Sequence, residues 1–171
     1  NGEIYNYLEL RTELKAKGCF FETNTDTEVI LKLYETFGEK GFAKMNGMWA
    51  FSIYDKLNNK MILSRDRFSK KPIFYYKDDN HFYFSSEIKQ LLPLVKNKAP
   101  NKSVLTSYLK QGVVDTNSES FFKDIYRIEA KTNLTIDLNT GSSQRHQYWD
   151  FETLTPSSNT EEEFRFLLED S

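Results

Sequence analysis

The sequence has 171 residues, of which 39% are hydrophobic and 15% aromatic, and its 23 Lys and Arg nearly balance its 25 Asp and Glu. This apolar content excludes a disordered chain, and no apolar run approaches the roughly 20 residues that a membrane-spanning helix needs. The balanced charge argues against nucleic acid or an anionic membrane as a partner. A single cysteine and the lack of a signal-peptide pattern predict a cytoplasmic protein that acts on a small molecule.

Helices dominate the predictions for the first 40 residues. Apolar residues at helical spacing predict a helix over residues 6–17, and a short strand is predicted over residues 19–22. The clearest helix signal is "TDTEVILKLYETFG", in which Thr25 and Glu28 match a capping box and Gly38 follows the last turn.

After the second helix the apolar period changes to two, which is typical of antiparallel strands. Trp49, Phe51 and Ile53 fall on one face, and a polar turn leads into residues 61–64, so these segments predict a hairpin. The segments "PIFYY" and "HFYFS" predict a second hairpin, followed by a helix that Ser86 can cap. Helices followed by a run of antiparallel strands favour an α+β fold.

The weaker signals after Pro93 predict one helix, one strand and a final hairpin. These elements fall at residues 103–110, 121–128, 132–138 and 144–149. The polar stretch "ETLTPSSNT" (152–160) is typical of a linker, and a helix with one apolar side restarts after it at residues 161–168. Because nothing downstream would bury that side, we expect a second domain after Ser171.

The first three residues combine groups that could bind a ligand. Asn1 offers a side-chain amide, Gly2 a backbone N–H with no Cβ beside it, and Glu3 a carboxylate, which together can hold an oxyanion and an ammonium group. Asn-Gly is also the commonest pair in type I′ hairpin turns. From these three residues alone, the turn is the favoured interpretation.

Asp26 admits two interpretations as well. An acidic residue in the first turn of a helix stabilises that helix through the macrodipole by about 0.3 to 1 kcal/mol. The same carboxylate could instead form an anionic site near a ligand amine. Position alone does not separate these interpretations.

The remaining reactive residues give little support for chemistry. Cys19 is the single thiol, but Phe20 and Phe21 beside it predict a strand that enters the core, where thiols are usually inert. His81 and His146 have no partners at metal-ligand or triad spacing. The basic segment "SRDRFSKKP" is most simply explained as a solvated loop between strands.

Six motifs follow one another along the sequence: "NGEIYNY", "TDTEVIL", "NGMWAFSIYD", "LSRDRFSKKPIFYY", "FYFSSEIKQLL" and "QYWD". In this order they resemble the amidotransferase half of glutamine-hydrolysing asparagine synthetases, and the resemblance covers nearly the whole sequence. It implies an α+β fold of the N-terminal-nucleophile type, an αββα sandwich of antiparallel sheets, incomplete at its N-terminus. It also implies a partial class II glutamine amidotransferase domain (1–151), a linker (152–160) and the start of an ATP-dependent synthetase domain (161–171).

The resemblance assigns roles to residues that match the family motifs. It implies that Asn1 and the backbone N–H of Gly2 form an oxyanion hole, and that Glu3 and Asp26 hold the α-ammonium of glutamine. The family's nucleophile is an N-terminal cysteine, which would precede Asn1. Without that cysteine, the 171-residue chain alone is expected to be inactive.

For the parent enzyme, the resemblance implies hydrolysis of glutamine to ammonia and ATP-dependent amidation of aspartate to asparagine. ATP and Mg²⁺ would bind in the synthetase domain, the parent could form a homodimer, and we expect no metal or cofactor on the present chain. Two alternatives stay open: a related amidotransferase that acts on another carboxylate, and a catalytically inert binding domain.

The sequence departs from the family pattern at two loops. Ser69 replaces a glycine that is common in the family's basic loop, and Glu129-Ala130 replaces its usual Pro-Gly pair. At these two loops the backbone geometry can differ from that of the family. The residues expected to bind glutamine are not among the substituted ones.

Overall fold

The computed structural model describes residues 1–114, 117–151 and 160–170. The helices are α1 (Tyr7–Ala16), α2 (Asp26–Phe37), α3 (Ile88–Leu91), α4 (Lys102–Gln111) and α5 (Thr160–Asp170), and a 3₁₀ segment covers Gly38–Lys44. The strands are β1 (Gly2–Ile4), β2 (Gly47–Asp55), β3 (Lys60–Arg65), β4 (Phe74–Lys77), β5 (Phe82–Ser85), β6 (Ile125–Arg127), β7 (Thr132–Asp137) and β8 (Ser143–Gln147).

The strands form two antiparallel sheets within the described residues. The first has the order β1-β2-β3-β7-β8, and the second has the order β5-β4-β6. The three predicted hairpins are present as the pairs β2–β3, β4–β5 and β7–β8. The period-two pattern therefore predicted these hairpins correctly.

In the described part of the chain, three apolar clusters separate four layers. On β2, Trp49 and Ile53 face α1 and α2, whereas Ala50 faces the second sheet. Leu63 and Tyr75 belong to the cluster between the two sheets. On the far side of the second sheet, a third cluster joins its strands to α3; its buried members are Tyr76, Leu91, Val95 and Ile125. This helix–sheet–sheet–helix order confirms the predicted α+β fold with an αββα arrangement.

The start of α2 uses the predicted cap in a modified form. The Glu28 N–H donates to Oγ1 of Thr25 at 3.3 Å, as the capping box predicts. The Glu28 carboxylate, however, does not reach back to Thr25; it accepts from the N–H groups of Glu22 and Thr23 at 2.7 Å and from the Thr23 hydroxyl at 2.6 Å. Glu28 thus fixes the loop that leads into α2.

This loop predicts an acid sensitivity of the fold. The Thr23 hydroxyl and the Glu22 N–H lower the pKa of Glu28 from 4.5 to about 2. Because the folded-state pKa lies below the unfolded one, Glu28 stabilises the fold above pH 4.5, and this contribution is lost as the pH falls towards 2. We expect Glu28→Gln to lower the free energy of unfolding at pH 7 and to make little difference near pH 2, as measured by urea titration. A difference that stays constant over this pH range would contradict the prediction.

The strand predicted at residues 19–22 is wrong. Its backbone groups are used by the neighbouring helices, because the Cys19 N–H donates to the Leu14 carbonyl and the Glu22 N–H to Glu28. Phe20 is 89% exposed, while Phe21 packs against the core beneath the Arg11 guanidinium. The apolar triplet is therefore an irregular connection between helices and not part of a sheet.

The later elements differ from the predictions mainly in extent. Helix α3 begins at Ile88 after Glu87, with no side-chain cap from Ser86. The strand predicted at 121–128 is confined to β6. The predicted linker at 152–160 lies, apart from Thr160, outside the described residues, and the helix predicted after it is present as α5. None of the described helices is both long and apolar enough to span a bilayer.

Candidate active site

The first residues of the chain form a strand, β1, which is the outermost of its sheet among the described residues, and not a hairpin turn. The Asn1 amine donates to the Ala50 carbonyl at 3.2 Å, and the Ala50 N–H returns a bond of 2.8 Å to Asn1. Gly2 lies opposite Trp49 in the next register position. Because hydrogen-bonded and non-hydrogen-bonded pairs alternate along an antiparallel ladder, the Gly2 N–H points away from β2, towards the open edge of β1.

Two glycines allow β1 and β2 to approach closely. A Cβ placed on Gly2, whose φ is +135°, would lie 2.1 Å from the Met48 carbonyl oxygen. A Cβ on Gly47, whose φ is +154°, would lie 2.2 Å from the Glu3 carbonyl oxygen. Both positions therefore require glycine for steric and conformational reasons.

Asp26, at the start of α2, reaches the same open edge of β1. Its Oδ2 accepts a hydrogen bond of 3.1 Å from the Ile4 N–H. Ile4 lies two residues after Gly2 in the strand, so the N–H groups of both residues point to the same side. This bond attaches the first turn of α2 to the strand that carries Asn1, Gly2 and Glu3.

A cleft of about 160 Å³ opens between β1, β2 and α2. The predicted residues Asn1, Gly2, Glu3 and Asp26 all line it. The rest of its lining is mainly apolar and comprises Ile4, Thr27, Ile30, Leu31, Trp49, Phe51, Ser52 and Ile53. The structure thus brings the four predicted residues together, with amide and carboxylate groups beside an apolar wall.

The other reactive residues lie away from this cleft. The half-buried Cys19 packs against the core cluster beneath α1 and α2, and its Sγ is 3.4 Å from the Thr36 hydroxyl of α2. His81 lies in the β4–β5 turn beside Asp78, and His146 is exposed on β8. Among the described residues, no group of three or more His, Cys, Asp or Glu is placed to hold a metal ion.

The segment "SRDRFSKKP" is not the solvated loop that its charge pattern predicted. Arg65 is 4% exposed, and its guanidinium donates to the carbonyls of Ile128 at 2.6 Å, Lys71 at 2.9 Å and Ser69 at 3.1 Å. Burial lowers the pKa of Arg65, and the Asp66 carboxylate opposes that shift. The guanidinium therefore serves as an internal cross-link for the loop.

Asp66 is 1% exposed and was also missed by the sequence analysis. Its carboxylate accepts from the backbone N–H groups of Trp49, Phe68, Lys70 and Lys71 at 2.9 to 3.3 Å. The available signal was an Asp directly after a strand, a position where its side chain often accepts from the N–H two residues later. The two flanking arginines instead favoured a solvated loop.

Ser69 occupies the left-handed region of backbone conformation, with φ of +57°. A non-glycine residue there costs roughly 1 to 2 kcal/mol of stability. Glycine avoids this cost, but its greater freedom in the unfolded chain offsets part of the gain. We expect Ser69→Gly to raise the free energy of unfolding by about 0.5 to 1 kcal/mol, measured by urea unfolding. Ser86→Gly is the control, because Ser86 does not have a positive φ. Equal or lower stability of Ser69→Gly than of the unmodified protein would contradict this prediction.

The sequence is also similar to a known protein family and to curated proteins. A family model described as "Glutamine amidotransferase domain" matches residues 1–149. A protein of Methanocaldococcus jannaschii, provisionally named asparagine synthetase (glutamine-hydrolysing) 2, is 41% identical over 159 residues, covering 91% of this chain and 30% of that protein. Asparagine synthetase (glutamine-hydrolysing) 1 of Bacillus subtilis is 42% identical over 136 residues, covering 80% of this chain and 21% of that protein. The chain thus spans less than a third of the length of these relatives.

Two solved structures share the fold. One is the glutamine phosphoribosylpyrophosphate amidotransferase of B. subtilis in complex with ADP and GMP, with a TM-score of 0.61 and 18% identity. The match covers 87% of this chain and 28% of that one. The other is described as the allosteric regulatory enzyme of purine biosynthesis, with a TM-score of 0.56 and 20% identity over 87% of this chain and 27% of that one. At these identities the likeness concerns the fold alone, the αββα arrangement of two antiparallel sheets between helices.

Proposed function

Because this chain belongs to the glutamine amidotransferase family, we propose that its cleft binds glutamine and supports hydrolysis of the side-chain amide. The observation that carries the proposal is the meeting of Asn1, Gly2, Glu3 and Asp26 in one cleft. These residues belong to two separate sequence motifs, and the fold brings them together across 22 positions through the bond from Ile4 to Asp26.

In this proposal, Glu3 and Asp26 bind the α-ammonium group of glutamine. Carboxylates are the natural partners of an ammonium group, and charge-assisted hydrogen bonds to it are stronger than neutral ones. One oxygen of Asp26 is already held by the Ile4 N–H, which fixes the orientation of the carboxylate before a ligand arrives. Asp26 thereby combines ligand binding with stabilisation of the α2 N-terminus.

The outward-pointing N–H of Gly2 and the side-chain amide of Asn1 are proposed to stabilise the oxyanion. A thiolate attacks the amide carbon, and the carbonyl oxygen becomes negatively charged in the tetrahedral intermediate. Collapse of the intermediate breaks the C–N bond, releases ammonia after protonation of the nitrogen and leaves a thioester. Water then cleaves the thioester to give glutamate and restores the thiol.

The nucleophile in this scheme is a cysteine elsewhere in the complete protein. Cys19, the single cysteine among the 171 residues, lies outside the cleft. We therefore expect the 171-residue chain to lack glutaminase activity by itself. Measurable ammonia release from glutamine by the purified chain would contradict that expectation.

We further propose that the complete protein is an asparagine synthetase that transfers the ammonia to aspartate in the cytoplasm. The similarity to proteins bearing that name supports this assignment. ATP and Mg²⁺ would act in a synthetase domain that begins near residue 161, and the 171 residues themselves contain no glycine-rich phosphate loop. We also propose that the complete protein forms a homodimer.

The test is to assay the complete gene product with glutamine, ATP and a panel of carboxylate acceptors. Ammonia release from glutamine, with asparagine formed from aspartate, is the expected result. Amidation of a different carboxylate would replace the proposed acceptor but keep the glutaminase. Binding of glutamine without ammonia release would identify an inert binding domain and overturn the catalytic proposal.

A further inference from the structure

Directly after β3, a side-chain carboxylate accepts a hydrogen bond that a backbone carbonyl would accept in a longer strand. The β2–β3 pairing runs from Asp55 opposite Lys60 to Ala50 opposite Arg65. Beyond Arg65 the chain turns away, yet Trp49 is still held on this side. The Asp66 N–H donates to the Trp49 carbonyl at 3.0 Å, and the Trp49 N–H donates to Oδ2 of Asp66 at 3.3 Å.

The Asp66 carboxylate therefore takes the place that a backbone carbonyl would occupy in a continued ladder. It is buried, and its oxygens also accept from N–H groups of its own loop, which fixes their positions. Trp49 is additionally held by its indole N–H, which donates to the Ser64 hydroxyl at 3.0 Å. One side of the Trp49 backbone is thus rigidly anchored.

The other side of β2 carries the proposed oxyanion hole. Gly2 lies opposite Trp49, and Asn1 exchanges two hydrogen bonds with Ala50, the residue next to Trp49. Among the described strands, β1 pairs with β2 alone, so the position of β2 determines where the Gly2 N–H and the Asn1 amide stand.

We propose that Asp66 is a positioning residue for glutamine hydrolysis, which acts through the Trp49 backbone to place the oxyanion donors. The proposal rests on the glutaminase function proposed above. Asp66 lies in a loop that contributes no residue to the lining of the cleft, so its effect on the reaction is indirect.

The proposal separates two kinetic effects. The ammonium side of the cleft has its own attachment, the bond from Ile4 to Asp26, which does not pass through Trp49. A shift at Trp49 should therefore disturb the transition state more than the binding of glutamine. A misplacement of about 1 Å can cost about 100-fold in rate.

The experiment uses Asp66→Asn in the complete gene product. Asparagine keeps the size of the side chain but replaces one acceptor oxygen by an NH₂ donor, so part of the hydrogen-bond set of Asp66 is lost. We expect kcat for glutamine hydrolysis to fall about 10- to 100-fold while KM stays within about twofold. Activity with free ammonia in place of glutamine should stay unchanged, because that reaction bypasses the glutamine site.

Asp78→Asn is the matched control. Asp78 also accepts from backbone N–H groups, those of Asn80 and His81, but in the β4–β5 turn of the other sheet. It should leave all three parameters unchanged. Amide hydrogen exchange supplies a second readout: Asp66→Asn should speed exchange at Trp49 and Ala50 but not at Leu134.

The outcomes are distinguishable. An active wild-type protein with an equally active Asp66→Asn variant would overturn the positioning role alone. A fall in kcat accompanied by equal loss of ammonia-dependent activity, or unchanged exchange at Trp49 and Ala50, would also overturn it. A wild-type protein that releases no ammonia from glutamine would overturn the proposed function and this role with it.

Discussion

Replacing Gly2 by alanine is expected to reduce glutamine hydrolysis by about 100-fold or more in the complete protein. The new Cβ would lie 2.1 Å from the Met48 carbonyl oxygen and 2.7 Å from the Trp49 Cα, so β1 must move away from β2. The φ of +135° is also unfavourable for alanine. Since the Gly2 N–H is a proposed oxyanion donor, its displacement should appear mainly in kcat, measured as ammonia release at saturating glutamine.

Gly18→Ala is the control for this experiment. Gly18 also has a positive φ, +89°, but a Cβ there would meet nothing within 4 Å. It should therefore share the conformational cost without the clash, and it should retain nearly full activity at a temperature where the protein is folded. If both variants lose activity equally, the close approach of β1 and β2 is not what the reaction requires.

Replacing Asp26 by asparagine is expected to raise KM for glutamine about 10- to 100-fold, because a charged hydrogen bond to the ligand ammonium is worth roughly 1.5 to 3 kcal/mol. The effect on the fold should be small, since the asparagine side-chain oxygen can still accept from the Ile4 N–H and asparagine is tolerated near helix starts. Steady-state kinetics should show kcat within about threefold of the wild-type value.

Glu9→Gln controls for the loss of a helix-terminal charge. Glu9 is an exposed acidic residue in the first turn of α1, as Asp26 is in the first turn of α2, but it does not line the cleft. We expect its KM for glutamine to equal that of the wild type. An unchanged KM for Asp26→Asn would contradict the ammonium-binding role.

The elements that sequence reasoning predicted well are those whose two faces meet different surroundings. Trp49 and Ile53 alternate with Ala50 because one face of β2 meets helices and the other meets a sheet. At residues 19–22 the same apolar content gave a false strand. There the decisive factor is which group receives each backbone N–H, and Leu14 and Glu28 accept those of Cys19 and Glu22.

The candidate site was predictable by motif but not by local chemistry. From Asn1, Gly2 and Glu3 alone a hairpin turn was favoured, because the pairing with Ala50 and Trp49 depends on residues almost 50 positions away. The burial of Arg65 and Asp66 depends in the same way on Ile128 and Trp49. Charged residues next to one another indicate a solvated loop unless distant backbone partners are known.

The positions of the cleft residues in the sequence limit where the gene can recombine. Every residue that lines the cleft falls between Asn1 and Ile53, and the loop that anchors Trp49 ends at Lys71. The lining of the cleft and the loop that anchors Trp49 are therefore contiguous in sequence, although the strand before that loop, β3, pairs with the distant β7. Because β3 pairs with β7 and Arg65 is bonded to the Ile128 carbonyl, a recombination joint that keeps this support intact must lie beyond the first sheet, after Gln147 of β8.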